Sequence, residues 1–263
     1  MSAPTETHTP MPALFIGHGN PMNAIEETEY STAWREVTTS IPRPKAIICI
    51  SAHWETEGTF VTAMRQPRTI HDFSGFPDEL YQVQYSAPGS PDLADRICRL
   101  VSSTTVSLDN QWGLDHGTWS VLRRMYPKAD IPVVQISLDR TRFAHEHYKL
   151  GAELSALRNE GVLIIGSGNI VHNLRLLRWD ASAAYPWVLE FDQLAAALIL
   201  EGEHNRLIDY QALGEAANLA IPTNEHYLPM LYILALQRPD APVSFFAEGL
   251  QLGSISMRSV RIG

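Results

Sequence analysis

Cysteine is scarce in this chain, with two in 263 residues. Cys49 lies inside an apolar run and Cys98 in a predicted helix. One pair is too few for a disulfide framework, and neither residue has metal-type spacing. Both read as buried reduced thiols, the expectation for a cytoplasmic protein. Basic blocks are missing and the formal charge is −9, which argues against nucleic acid or an anionic membrane surface as a partner. No apolar run approaches the ~20 residues that a membrane helix needs. Residues 1–10 are polar and rich in Pro and Thr, without a basic start or an apolar stretch; they read as a loose tail and not as a signal peptide. His-Glu-x-x-His, the P-loop and Gly-x-Ser-x-Gly are all missing, which argues against a common zinc peptidase, a P-loop NTPase and an ordinary α/β-hydrolase. Gly166-Ser167-Gly168 lacks the third glycine of a dinucleotide fingerprint and the acidic residue about twenty positions on, so that reading is rejected.

What is present is an ordinary globular composition, 45% apolar and 19% charged, in a chain long enough to bury a sizeable core. No repeat or composition break divides it, so residues 11–263 are expected to form a single catalytic domain. Short β-branched runs bounded by Gly, Ser and Pro predict strands at 13–16, 46–50, 59–64, 132–138, 162–165, 243–246 and 254–261. Apolar positions at helical spacing predict helices at 91–101, 147–157, 186–200 and 224–236, the last with Thr223 as its N-cap. Strands alternating with helices imply a single-domain, three-layer α/β/α fold with a mostly parallel or mixed central sheet. Between residues 65 and 90 the pattern weakens into aromatic, glycine and proline segments. An aperiodic aromatic loop of that length suits a binding wall.

The histidines carry the chemistry. His18 follows the apolar run 13–16, His53 follows 46–50, and His172 follows 162–165 after a Gly-Ser-Gly-Asn connection. If these strands run parallel, their carboxyl ends share the sheet edge where open α/β folds place ligands. Several imidazoles at one edge suggest a metal site, since imidazole is the commonest protein metal ligand. Glu225 and His226 stand together at a predicted helix start, and the residues alone do not choose between them as a ligand. His116, in Gly113-Leu114-Asp115-His116-Gly117, opens another predicted helix. His8 lies in the tail, His204 in a charged turn, and His145 and His147 at what reads as a solvated helix end.

Taken together, Gly17-His18-Gly19-Asn20-Pro21, Ser51-Ala52-His53-Trp54, Ile70-His71-Asp72-Phe73, Gly113-Leu114-Asp115-His116-Gly117, Ser167-Gly168-Asn169-Ile170-Val171-His172-Asn173 and Glu225-His226-Tyr227-Leu228-Pro229 resemble the DOPA 4,5-extradiol dioxygenase family, a branch of the class III, LigB-like ring-cleaving enzymes. The resemblance implies metal ligands at His18, His53 and His226, a catalytic histidine at His172 and a second at His116. It implies Fe(II) as cofactor, O₂ as co-substrate and an L-DOPA-like catechol as substrate. A zinc ion, which is also bound by histidine, would draw His172 in as a fourth ligand. His71, Asp72, Phe73 and Trp54 are the expected substrate contacts, and Arg65, Arg68, Arg175 and Arg178 the candidates for a substrate carboxylate. A zinc-dependent hydrolase and a non-enzymatic, Memo-like binding protein are the competing expectations on this scaffold.

Overall fold

The β-branched runs become the strands of one sheet in the computed structural model, which describes residues 10–179 and 183–263. The expected tail therefore lies outside the described residues, apart from Pro10. In chain order the strands are β1 (Ala13–Gly17), β2 (Ala46–Thr56), β3 (Thr59–Thr62), β4 (Val106–Asp109), β5 (Val133–Asp139), β6 (Val162–Gly168), β7 (Val243–Phe246), β8 (Leu250–Gln251), β9 (Ile255–Ser256) and β10 (Ser259–Ile262). Eight of them form a sheet in the order β4-β3-β5-β2-β6-β1-β10-β7, and β8 and β9 pair separately. The central strands β5, β2, β6 and β1 run parallel. The sheet turns antiparallel outside them, where β10 pairs with β1 and β3 with β5. It is a mixed sheet with a parallel centre.

Both faces of that centre are covered, which explains why its strands read as continuous apolar runs and not as alternating ones. Along β1 and β2, Phe15, Ile48 and Ile50 enter a core with the helices Ala144–Glu153, Pro186–Glu201 and Leu228–Leu234. Leu14, Ile16, Ile47 and Cys49 enter the other core, against the helices Glu29–Val37 and His116–Met125. Three layers result, as expected.

Several boundaries differ from expectation. The strand expected to stop at residue 50 continues to Thr56, with a register shift against β5 between Ile50 and Glu55. His53 therefore sits in irregular strand and not in a loop. The segment 254–261 divides into β9 and β10. The helix expected at 224–236 spans Leu228–Leu234; the Thr223 hydroxyl donates to Glu225 and does not cap the helix. Strand β4 was not expected: it is a short edge strand with Ser107 and Leu108 exposed, so it carries no apolar period. His147 is not at a solvated end. It is buried, with its Nδ1 2.9 Å from the Tyr232 hydroxyl.

Candidate active site

The carboxyl ends of β1, β2 and β6 deliver three histidine-bearing segments to one place. His18 directly follows β1, and its backbone N–H donates to the Gly168 carbonyl at the end of β6. The fourth segment, which carries His226, lies flat on β6 because that strand ends in glycines. A Cβ on Gly166 would stand 2.4 Å from the Pro229 carbonyl oxygen, and one on Gly168 2.1 Å from that of His226. Only glycine permits such close backbone approach. That is the physical role of the Gly-Ser-Gly stretch, and the Asn169 N–H donates 2.9 Å to the same His226 carbonyl.

His18, His53 and His226 present ligand nitrogens within 4.8 Å of one another. The Nε2 atoms of His18 and His53 are 3.1 Å apart. Each ring has an oxygen beside its other nitrogen. The Ser167 hydroxyl donates its only proton to the Gly117 carbonyl at 2.6 Å, so at 3.0 Å it accepts from Nδ1–H of His18. His226 Nδ1 is 3.1 Å from the Glu225 carboxylate, and His53 Nδ1 is 3.5 Å from that of Asp72. Ser167 and Glu225 hold the proton on Nδ1 of His18 and His226 and leave the lone pair on Nε2, the arrangement that orients and strengthens metal-ligating imidazoles. The Asp72 charge favours the same tautomer in His53 without a hydrogen bond. Burial pushes the pKa of all three well below the ordinary histidine value, and neighbouring imidazoles add to this. They are neutral near pH 7 and able to coordinate.

Two more imidazoles complete the cluster. His172 stacks on His226 with ring centroids 3.4 Å apart, and burial, with His116 nearby, pushes its pKa down to about 4. His116 begins its helix behind the N-cap Asp115 and lies 3.9 Å from His53, centroid to centroid. Its backbone N–H and Nδ1 each donate, at 2.9 Å, to one oxygen of the Asp72 carboxylate. Burial acts to raise the Asp72 carboxyl, yet the His116 hydrogen bond and the two neighbouring imidazoles hold it below its ordinary value. Asp115, buried beside Asp72, is pushed up instead, although Ser51 and Gln135 hydrogen-bond to it.

The five imidazoles open onto a cavity of about 390 Å³, a size suited to a small aromatic ligand. Phe73 and Phe76, from the long aromatic loop, form one apolar wall, and Leu174, Leu177 and Trp179 another. The loop is anchored by a Trp119 Nε1 bond to the Ile70 carbonyl at 2.7 Å and a His71 Nε2 bond to the Val83 carbonyl at 3.0 Å. His71 thus serves the loop and does not line the cavity. Trp54 does not line it either; buried, it stacks on Trp112 at 5.6 Å. None of the four candidate arginines lines the cavity. Arg178 lies over the Tyr185 ring, and Arg68 donates to the Trp112 carbonyl.

Two features were not expected from the sequence: Ser167 as the partner of His18, and the wall formed by Leu174, Leu177 and Trp179. The wall had a signal: three large apolar residues with neither helix nor strand period, directly after a site histidine.

A family model, the catalytic LigB subunit of aromatic ring-opening dioxygenase, matches residues 3–252. The chain is 48% identical over 260 residues to a 4,5-DOPA dioxygenase extradiol of Escherichia coli K12, covering 97% of this chain and 96% of that protein. It is 43% identical over 224 residues to a protein of the same name from Beta vulgaris, covering 82% and 83%. A crystal structure of an uncharacterized Escherichia coli K12 protein superposes with a TM-score of 0.85 at 43% identity, covering 96% of this chain and all of that one. With five imidazoles gathered over one cavity and matches along nearly its whole length, the chain belongs to the LigB family of aromatic ring-opening dioxygenases.

Proposed function

We propose that this enzyme opens the ring of an L-DOPA-like catechol with O₂ at a mononuclear Fe(II), giving a semialdehyde of the 4,5-seco-DOPA type. The observation that carries the proposal is the convergence of His18, His53 and His226, each with an oxygen beside Nδ1 and its lone pair on Nε2. Three neutral nitrogen donors suit a divalent metal, and ~2.0–2.1 Å bonds would bridge the 3.1 Å between two of them. The Escherichia coli and Beta vulgaris relatives, 4,5-DOPA dioxygenases by name, support the substrate class. Iron, when bound, supplies the electron exchange between catechol and O₂ and eases loss of a hydroxyl proton.

The chain's own residues do the rest. Phe73 and Phe76 face the substrate ring, and Leu177 adds apolar lining that limits water. His172, neutral because it is buried, takes the second hydroxyl proton on its unprotonated ring nitrogen and returns it later in the cycle. His116, with its proton on Nδ1, offers Nε2 as a second acceptor. With zinc in place of iron, His172 is close enough to His226 to serve as a fourth ligand. Residues 11–263 act as one catalytic domain, because β1 and β10, from opposite ends of the chain, pair within a single sheet. The free thiols of Cys49 and Cys98 support a cytoplasmic setting.

The test is anaerobic loading with Fe(II), followed by oxygen uptake and semialdehyde absorbance across a series of catechols. Uptake with L-DOPA and a product cleaved at the 4,5 bond is expected. Metal binding without oxygen consumption, accompanied by ester or amide hydrolysis, would make the chain a zinc hydrolase. Failure to take up any divalent metal would make it a binding protein.

A further inference from the structure

Asp72 stands in the aromatic loop and lines the cavity, and both of its oxygens are engaged by a histidine. One oxygen accepts the His116 backbone N–H at 2.9 Å, and the other accepts His116 Nδ1–H at 2.9 Å. That second oxygen also lies 3.5 Å from Nδ1 of His53. Among the described residues the His116 ring makes this one hydrogen bond. A carboxylate only accepts, so Nδ1 carries a proton, and in the neutral ring the lone pair is then on Nε2.

We propose that Asp72 is a positioning residue: it fixes the His116 tautomer, so that Nε2 of this cavity-lining imidazole is the nitrogen free to accept a substrate proton. The inference rests on the reading of His116 as a proton acceptor in catechol cleavage. The same carboxylate oxygen faces an outer nitrogen of His53, so loop, metal ligand and proton acceptor are set by one side chain.

The variant Asp72→Asn separates this role from simple loop anchoring. A backbone N–H is always a donor, so the amide must keep its oxygen on the His116 N–H. Its NH₂ then faces the ring, and Nδ1 has to accept. The proton moves to Nε2, the nitrogen that should be free. The side-chain volume hardly changes.

The experiment reads ¹⁵N ring shifts of His116 in the zinc-loaded protein, which is diamagnetic, and steady-state kinetics in the iron-loaded protein. In the wild type, Nδ1–H is expected. In Asp72→Asn, the ring should switch to Nε2–H and kcat per bound iron should fall by about 10²–10⁴-fold, with KM within a few-fold of wild type. Metal affinity, because the same oxygen faces His53, should fall by roughly 10–100-fold. A wild-type ring protonated on Nε2 would overturn the proposal without needing any variant. So would an Asn variant that keeps the Nδ1–H tautomer, or one that switches tautomer with kcat unchanged. A wild type that consumes no O₂ with any catechol would sink the functional reading, while the ring shifts would still decide how Asp72 holds His116.

Discussion

Two regions of this molecule bury histidines, and they have opposite meanings. At the carboxyl edge of the sheet, His18, His53 and His226 are buried or nearly so, with their pKa values pushed down by burial. Beneath the sheet, His147 is as deeply buried, and burial pushes it down to about 4. Each region ties Nδ1 to an oxygen, Ser167 for His18 and Tyr232 for His147. Neither burial nor a lowered pKa therefore marks the site. Convergence does: the edge histidines bring ligand nitrogens within 4.8 Å of one another over a cavity, whereas among the described residues His147 joins no such group. A larger groove of about 560 Å³, beside Arg142 and Tyr210, makes the same point. It has volume but none of the convergent imidazoles.

The largest expected effect follows from that contrast. His18→Ala, His53→Ala and His226→Ala should each abolish stoichiometric iron binding, whereas His147→Gln should retain full metal content by elemental analysis. Normal iron in His226→Ala together with loss in Glu225→Ala would move the third ligand by one residue and break the comparison. Next in size, His172→Ala should keep most of its iron and lose turnover by roughly 10²–10⁴-fold. Loss of iron in step with activity would make His172 a ligand in the resting enzyme.

A third measurement sharpens the other side. His147 binds its proton more weakly when folded, near 4, than when unfolded, near 6.5. Between these values the unfolded chain holds more protons, so His147's contribution to stability is complete above pH 6.5 and is lost as pH falls toward 4. The loss is on the order of 3 kcal/mol. The edge histidines titrate in the same direction, so the comparison is wild type against His147→Gln, both metal-free, by urea denaturation from pH 7 to 4.5. The variant should show the shallower pH dependence; identical slopes would remove His147 from the account. The smallest effect concerns the wall. Phe73→Ala should raise KM for catechol about tenfold, the value of a partly buried ring, with iron unchanged. An unaltered KM would reduce the loop around Phe73 to support.

Much of the fold was legible because burial on both faces of a parallel sheet writes long apolar runs into β1, β2, β5 and β6. Where a strand lies at an exposed edge, as β4 does, that signature vanishes. The site was legible in part. His18, His53 and His172 each follow such a run, and a strand's carboxyl end is where a ligand site forms. His147 shows the limit. In sequence it reads as a polar helix end, and only the docking of its helix against Leu228–Leu234 buries it on Tyr232.

By itself, then, the sequence determined the strand pattern, the layered α/β class and the set of histidines near the sheet edge. These depend on local periodicity and on turn residues next in the chain. Tertiary structure alone decided that Ser167, Asp72 and Glu225 stand behind His18, His53 and His226, and that Trp54 and His71 face elsewhere. It also decided that Leu174, Leu177 and Trp179 line the same cavity as Phe73. Those relations join residues up to 149 positions apart, as between His18 and Ser167. No short-range pattern records a contact made only when distant strands register side by side.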